Sequence, residues 1–311
     1  MHWFLLSLVG YVCLALVFIL DKLILTKSVE KPVVYTFYST IFLAVVLCAL
    51  PFGGELLHTP FDWGVATLSG LGFGFGLWAM FLALHYGETS HISPFIGAMV
   101  TVSTFVLSAL WLGESLTDVQ KIGVVILVFA SLLLSFEKSK QHSGFHVGFL
   151  WAILAGVCFG ISHVAAKYIY DLYPFLTGFI WTRATIALVG VITLFVPSVW
   201  KSLFGKKTAV SKKVSVESQK TFGHRHAFAI VLSNKVLGVL GVVLIQAAIS
   251  SGSVTLVNAL SGMQYVLMFV LVFISSKISP QVFKEYFTKR EIIVQTIAIL
   301  LVCLGSVCFV L

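Results

Sequence analysis

The chain has 311 residues, 59% of them apolar and 10% charged, with a mean hydropathy of +1.04, against roughly 45 to 50% apolar and about 25% charged in soluble domains. A soluble domain has too little polar surface to cover that much apolar side chain, so a water-soluble globule is excluded and bilayer-spanning helices are expected. The net charge of +8 does not indicate nucleic acid, because Lys and Arg fall in short connectors between apolar runs rather than on one solvated face interleaved with aromatics.

A helix that crosses a hydrocarbon core of ~30 Å needs about 20 apolar residues. Runs of that kind fall near residues 3–20, 33–53, 64–86, 92–113 and 119–136, then near 145–168, 174–200, 226–250, 253–276 and 292–311. Ten transmembrane helices are therefore expected, with Pro51, Pro94 and Pro197 at or near helix ends. The first run lacks the basic flank and small-residue cleavage site of a secretory signal and reads as a retained helix. All five cysteines lie inside apolar runs without metal or disulfide spacing, so no metal site and no cofactor are expected. Two connectors are polar: 137–144, and the long basic loop 201–225, which reads as a solvated spacer.

The third run contains Gly70, Gly72, Gly74 and Gly76. Gly70/Gly74 and Gly72/Gly76 each have the small-xxx-small spacing that lets helix backbones approach, and the two pairs face roughly opposite sides. This helix is expected to be packed closely on both. The string resembles a dinucleotide fingerprint only superficially, since no strand precedes it.

The two halves resemble one another. Ala83 to Met99 lines up without gaps on Ala248 to Gln264, matching Gly87 with Gly252 and Gly97 with Gly262. Leu112 to Thr117 lines up on Phe283 to Thr288, pairing Glu114 with Glu285, and Pro32, Phe37 and Thr40 match Pro174, Phe179 and Thr182. With five spans in each half, an odd number, the second half enters the membrane from the opposite side, which makes an inverted repeat with a site between the units. The expected division is 1–137 for the first five-helix unit and 138–311 for the second. The odd-numbered connectors hold 16 Lys and Arg residues against Lys121 and Lys167 in the even ones. The positive-inside rule then places the odd connectors in the cytoplasm and both termini outside.

The segment from Ala83 to Leu134, an apolar helix, a short Gly/Glu turn and a following helix, resembles the EamA-type repeat of the drug/metabolite transporter superfamily, and Gln246 to Phe273 is similar to a second copy. The resemblance covers almost the whole chain, and its motifs are architectural rather than substrate-specific. It implies an all-α integral membrane protein of the cell membrane, with ten helices as two inverted five-helix repeats around a central cavity and a small organic solute as cargo. It also implies cytoplasmic termini, the reverse of what the charges indicate.

Arg183 and Lys235 each lie about eight residues into a span, some ~12 Å deep at ~1.5 Å per residue, where a cation costs at least ~2.5 to 3.5 kcal/mol. Such residues mark solute pathways, unless the long side chain snorkels to the interface. Every Asp and Glu lies in a connector or near a helix end, so the missing negative charge is expected from the substrate, a carboxylate- or phosphate-bearing solute gripped by Arg183. His163, and His85 at the end of the third span, are the membrane residues able to titrate near neutral pH. Asn234, Gln246, Asn258, Gln264, Tyr265 and Trp78 are candidates to orient a ligand, and Asn258, Ser261 and Tyr265 share one face of the ninth span. The same residues also serve as interhelical hydrogen-bond partners in membrane proteins without a site.

These features point to a secondary transporter working by alternating access, with the lipid bilayer and a small molecule as partners and a homodimer left open. The alternatives are a membrane-embedded lipid-modifying enzyme or a non-transporting subunit. The enzyme reading has little to stand on. Ser162 beside His163 is the sole adjacent Ser/His pair in a span, neighbours on a helix point about 100° apart, and no GxSxG or HExxH motif is present.

Overall fold

The computed structural model describes residues 2–25, 31–86, 89–135, 147–204, 224–278 and 289–309. Those residues form helices and no strand. Helices α1 His2–Leu25, α2 Pro32–Ile41, α3 Pro60–Tyr86, α4 Thr89–Leu107 and α5 Asp118–Ser135 make the first half. The second half has α6 Val147–Leu172, α7 Phe175–Ala184, α8 Ala187–Leu194, α9 Pro197–Phe204, α10 His224–Ser251, α11 Val254–Ala259, α12 Ser261–Ile278 and α13 Lys289–Val307.

Among the described residues, seven helical stretches are long and apolar enough to cross a membrane: Pro32–Phe52, Pro60–Tyr86, Ile92–Leu112, Asp118–Ser135, Val147–Leu172, Phe175–Leu194 and Val254–Leu271. The other three expected spans appear as shorter apolar helices, His2–Val17, Val236–Ser251 and Thr296–Val307. Connector 137–144 and residues 205–223 of the basic loop lie outside the described residues, as does Glu285. Residues 201–204 belong to α9.

The rods are less regular than their hydropathy suggests. The stretch Pro32–Phe52 tightens to a 3-10 helix over Phe42–Phe52 and stops at Gly53, whose φ of +112° suits a residue with no Cβ. A π-helical turn, Ser108–Leu112, ends the α4 rod at Gly113, with φ of +66°. Pro94, expected near an end, lies inside α4. The expected span 174–200 is broken twice. Between α7 and α8 the Thr185 hydroxyl is 2.9 Å from the carbonyls of both Ala66 and Trp181, and Pro197 starts the separate helix α9, where its missing N–H costs nothing. At the start of α3, Thr59 takes a hydrogen bond from the Asp62 N–H (3.1 Å) and gives one to its carboxylate (2.7 Å), capping the helix.

Helix α3 holds the bundle together through its glycines. Gly70 lies against Thr185 and Ile186, and Gly74 against Val189, all around the α7–α8 break. On the other side Gly72 meets Cys158 and Ser162, and Gly76 meets Phe159, all on α6. The opposed glycine faces expected from the sequence are thus both in use. A reciprocal close approach joins α1 to α10 at Gly10 and Gly241, and another joins α5 to α13 at Gly123 and Gly305. Gly156 and Gly160 of α6 rest on Met99 and Ser103 of α4, and α2 packs on α8.

One end of the bundle gathers the starts of α1, α3, α5 and α7 and the ends of α6, α10 and α13. Gly252 sits against Trp3, Gly123 against Phe309, and the rings of Phe61 and Trp111 lie 5.9 and 6.1 Å from that of Tyr168. Polar contacts cross between halves there. The segment after Gly53 is tied to the second half by Glu55 N–H to Thr177 Oγ1 (3.1 Å), Trp181 Nε1 to the Glu55 carbonyl (2.7 Å) and His58 N–H to Tyr173 Oη (2.8 Å). Tyr173 in turn donates to buried Asp62 at 2.6 Å. Burial first and that hydrogen bond second hold its phenol above the ordinary value, so it stays a donor. Thr255 donates to Glu114 at 2.8 Å and lies 2.9 Å from the Ser108 hydroxyl, tying α11 to the end of the α4 rod.

Close packing at α3 yields a direct test. An alanine methyl at Gly74 would sit 2.5 Å from Val189 Cγ2, whereas one at Gly64 meets nothing within 4 Å. Gly74→Ala is expected to destabilise by about 1 to 3 kcal/mol through overpacking, while Gly64→Ala, which only gains helix propensity, is expected to hold or raise the melting temperature. Thermal unfolding in detergent compares the two.

Candidate functional site

Midway along the α7–α8 stretch, Arg183 is 2% exposed, eight residues from the first residue of α7 and so about 12 Å along the helix. The side chain does not snorkel. Its Nη2 lies 3.4 Å from Gln246 Oε1 of α10, and its guanidinium carbon stands 4.8 Å above the Phe73 ring of α3, a cation–π distance. Gln246 is itself held by Tyr170 of α6, whose hydroxyl donates to Oε1 at 2.9 Å and lies 3.4 Å from Thr182 Oγ1. Nε and Nη1 of Arg183 meet no acceptor among the described residues.

His163 sits about two turns before Tyr170 on α6. Its ring is 6.4 Å from that of Phe73, so Phe73 borders both basic side chains. Asn258 of α11 lies beside the imidazole, and the Asn258 amide N–H goes to the Val254 carbonyl at 2.8 Å. His163 Nδ1 is buried with no hydrogen-bond partner among the described residues. Ser162 does not pair with it: the Ser162 hydroxyl faces that of Ser69 at 3.4 Å, and Ser69 donates to the Ser162 carbonyl at 2.9 Å.

The ion pairs among the described residues, Lys121–Asp118 at 2.9 Å and Lys167–Asp171 at 2.7 Å, both lie toward one end of the bundle, away from Arg183. Asp62 and Glu114 are engaged by Tyr173, Thr59 and Thr255 at that same end. A buried guanidinium thus has neutral partners only: an amide oxygen, the Tyr170 hydroxyl and an aromatic face. Nor do the described His, Cys, Asp and Glu residues gather in any group of three that could hold a metal.

Of the residues singled out from sequence, the structure brings Arg183, His163, Asn258 and Gln246 together. Asn234 is buried on α10 and Gln264 on α12. The side chain of Lys235 lies outside the described residues. Trp78 stacks on Phe75 of its own helix, ring centroids 6.4 Å apart. The face expected to carry Asn258, Ser261 and Tyr265 is split by the break at Leu260. Asn258 turns to α6, while Ser261 and Tyr265 close on Gly97 of α4. His85 is exposed at the end of α3, 5.2 Å from Tyr86.

Sequence reasoning missed Tyr170, Thr182 and Phe73. Tyr170 carried a usable signal, since it follows His163 by seven residues and so lies on the same helix face. Phe73 carried one too, as a large ring set between Gly72 and Gly74.

Among solved structures similar in fold to this chain is one described only as the crystal structure of a protein. The two share 18% identity over 98% of this chain and 94% of that one, with a TM-score of 0.64, which speaks for the fold alone. No curated protein sequence is similar to this chain. With seven helical stretches able to cross a membrane, the chain is a multi-pass membrane protein, and its residues 1–136 match the EamA-like transporter family, in keeping with the drug/metabolite transporter superfamily.

Proposed function

We propose that the protein is a secondary transporter that moves a small anionic metabolite, bearing a carboxylate or a phosphate, across the cell membrane by alternating access. One observation carries this reading: Arg183 is buried at depth with two of its nitrogens unbonded and no carboxylate beside it among the described residues. A cation costs at least ~2.5 to 3.5 kcal/mol at that depth, and a neutral amide and a ring offset only part of it. An anionic solute supplies the missing charge and forks onto the guanidinium. EamA-like proteins are transporters rather than enzymes, and the pairing of Ser162 with Ser69 leaves His163 without a nucleophile to activate.

Ten membrane-spanning rods in two inverted units complete the proposal. Helix packing supports it. Exchanging the first five rods for the last five turns the α1–α10 contact into the α6–α3 contact and the α1–α12 contact into the α6–α4 contact, and returns α5–α13 to itself. Such a two-fold pattern suits a carrier in which one unit rocks against the other around a fixed site. At one end the units are joined by the hydrogen bonds from Glu55, His58 and Thr255, which in this mechanism form and break as that end closes and opens.

Two measurements test the proposal. In purified protein, carboxylates or phosphates that raise the melting temperature do so by binding the folded state. Arg183→Gln is expected to weaken that binding about 100-fold, or about 2.7 kcal/mol, without lowering the melting temperature of the ligand-free protein. An unchanged ligand response would remove Arg183 from the site. Sidedness is read by cysteine labelling in intact cells: connectors 137–144 and 201–225 are expected to be protected together and both termini accessible, and labelling of the two connectors from opposite faces breaks the two-unit arrangement.

A further inference from the structure

Nε and Nη1 of Arg183 and Nδ1 of His163 are buried without a hydrogen-bond partner among the described residues. The two side chains come from different helices, α7 and α6, yet both border the ring of Phe73, at 4.8 and 6.4 Å. Buried polar groups are nearly always paired, and an exception asks for an explanation. Unbonded atoms of two kinds, bordering one aromatic wall, describe a ligand with two polar ends close together.

The Arg183 nitrogens are donors only and always charged, so they call for an anionic acceptor. His163 Nδ1 is less restrictive: in the neutral ring it donates or accepts according to tautomer. A hydroxyl satisfies either state, because it has one donor and two lone pairs. An ammonium can only donate, and it would place a second positive charge near Arg183. No carboxylate is bonded to Arg183 among the described residues: Asp118, Asp171, Asp62 and Glu114 are engaged by Lys121, Lys167, Tyr173 and Thr255, and Glu55 is exposed.

We infer that the site takes a hydroxycarboxylate, its carboxylate on Arg183 and its hydroxyl on His163, with Phe73 as the apolar wall between. Gln246 and Tyr170 are positioning residues: Tyr170 holds the Gln246 oxygen that Arg183 Nη2 faces, which leaves the other guanidinium nitrogens for the ligand. This assignment rests on the transport reading and sharpens it, from any carboxylate or phosphate to an anion with a neutral hydrogen-bonding group beside its charge.

The experiment uses acids that differ at one atom group. Purified full-length protein is titrated at neutral pH with lactate, propionate and alanine, then with the larger set mandelate, phenylacetate and phenylglycine, and with inorganic phosphate, by calorimetry or thermal shift. In at least one set the hydroxy acid is expected to bind 10-fold or more tightly than both its deoxy and amino counterparts, and more tightly than phosphate. His163→Phe is expected to bring the ratio of hydroxy to deoxy acid near one while carboxylate binding persists. Arg183→Gln is expected to weaken binding of the whole set about 100-fold. The wild-type comparison stands even if a variant does not fold. Equal binding of the deoxy acid, stronger binding of the amino acid, or a preference for phosphate overturns the hydroxycarboxylate assignment and leaves an anion site at Arg183. Binding of none of these anions, or binding that Arg183→Gln leaves unchanged, overturns the anion reading beneath it.

Discussion

The architecture depends on how closely α3 approaches two neighbours at once. Ordinary side chains hold helix axes about 8 to 10 Å apart. Alternating glycines remove that spacing on both faces of α3, so that α6 lies against Gly72 and Gly76 while the α7–α8 stretch lies against Gly70 and Gly74. Between these two faces stands Phe73, and the same approach that seats the backbones puts its ring against Arg183 from one neighbour and near His163 from the other. Were α3 one side-chain layer further away, the two basic groups would share no wall, and the cluster would be two separate buried polar residues.

Two kinds of contact divide the work. Through the middle of the bundle, backbone and small side chains meet closely, with the Ser69–Ser162 and Thr185–Ala66 hydrogen bonds among them, and these contacts resist separation because their packing is collective. Toward one end, the halves are joined by discrete hydrogen bonds, those of Glu55, His58, Tyr173 and Thr255, each worth about 0.5 to 1.5 kcal/mol net. A set of that strength is separable in steps, whereas the glycine contacts of α3 are not. Motion at that end therefore pivots about the glycine-packed middle of α3, α6 and the α7–α8 stretch, where Arg183, Phe73 and His163 sit.

Much of this was readable from the sequence wherever a signal is periodic or costly. Glycines at i and i+4 announce a close face without reference to what lies opposite, and an arginine within an apolar run is conspicuous whatever its partner. The partners were another matter. That Tyr170 would hold Gln246, or that Asn258 would turn toward α6 while Tyr265 turned toward α4, depends on which helices become neighbours, and no local pattern carries it. Backbone irregularity was also hidden: the breaks at Thr185 and Leu260 involve no proline, and Pro94 is accommodated inside α4, where a proline was expected near an end. Hydropathy counts residues in a run and is blind to whether the run is one rod or two.

The pairing of α3 with α6 and of α1 with α10 has a consequence for how the chain is made. Ribosomes deliver helices α1 to α5 before the rest exist, and at that stage Gly72, Gly76, Gly10 and Gly156's partner Met99 have nothing to rest on. Helices α1 to α5 thus present an unfinished surface until the later helices are inserted, and co-expressed fragments cut at the 137–144 connector would have to find one another laterally in the lipid before either could pack.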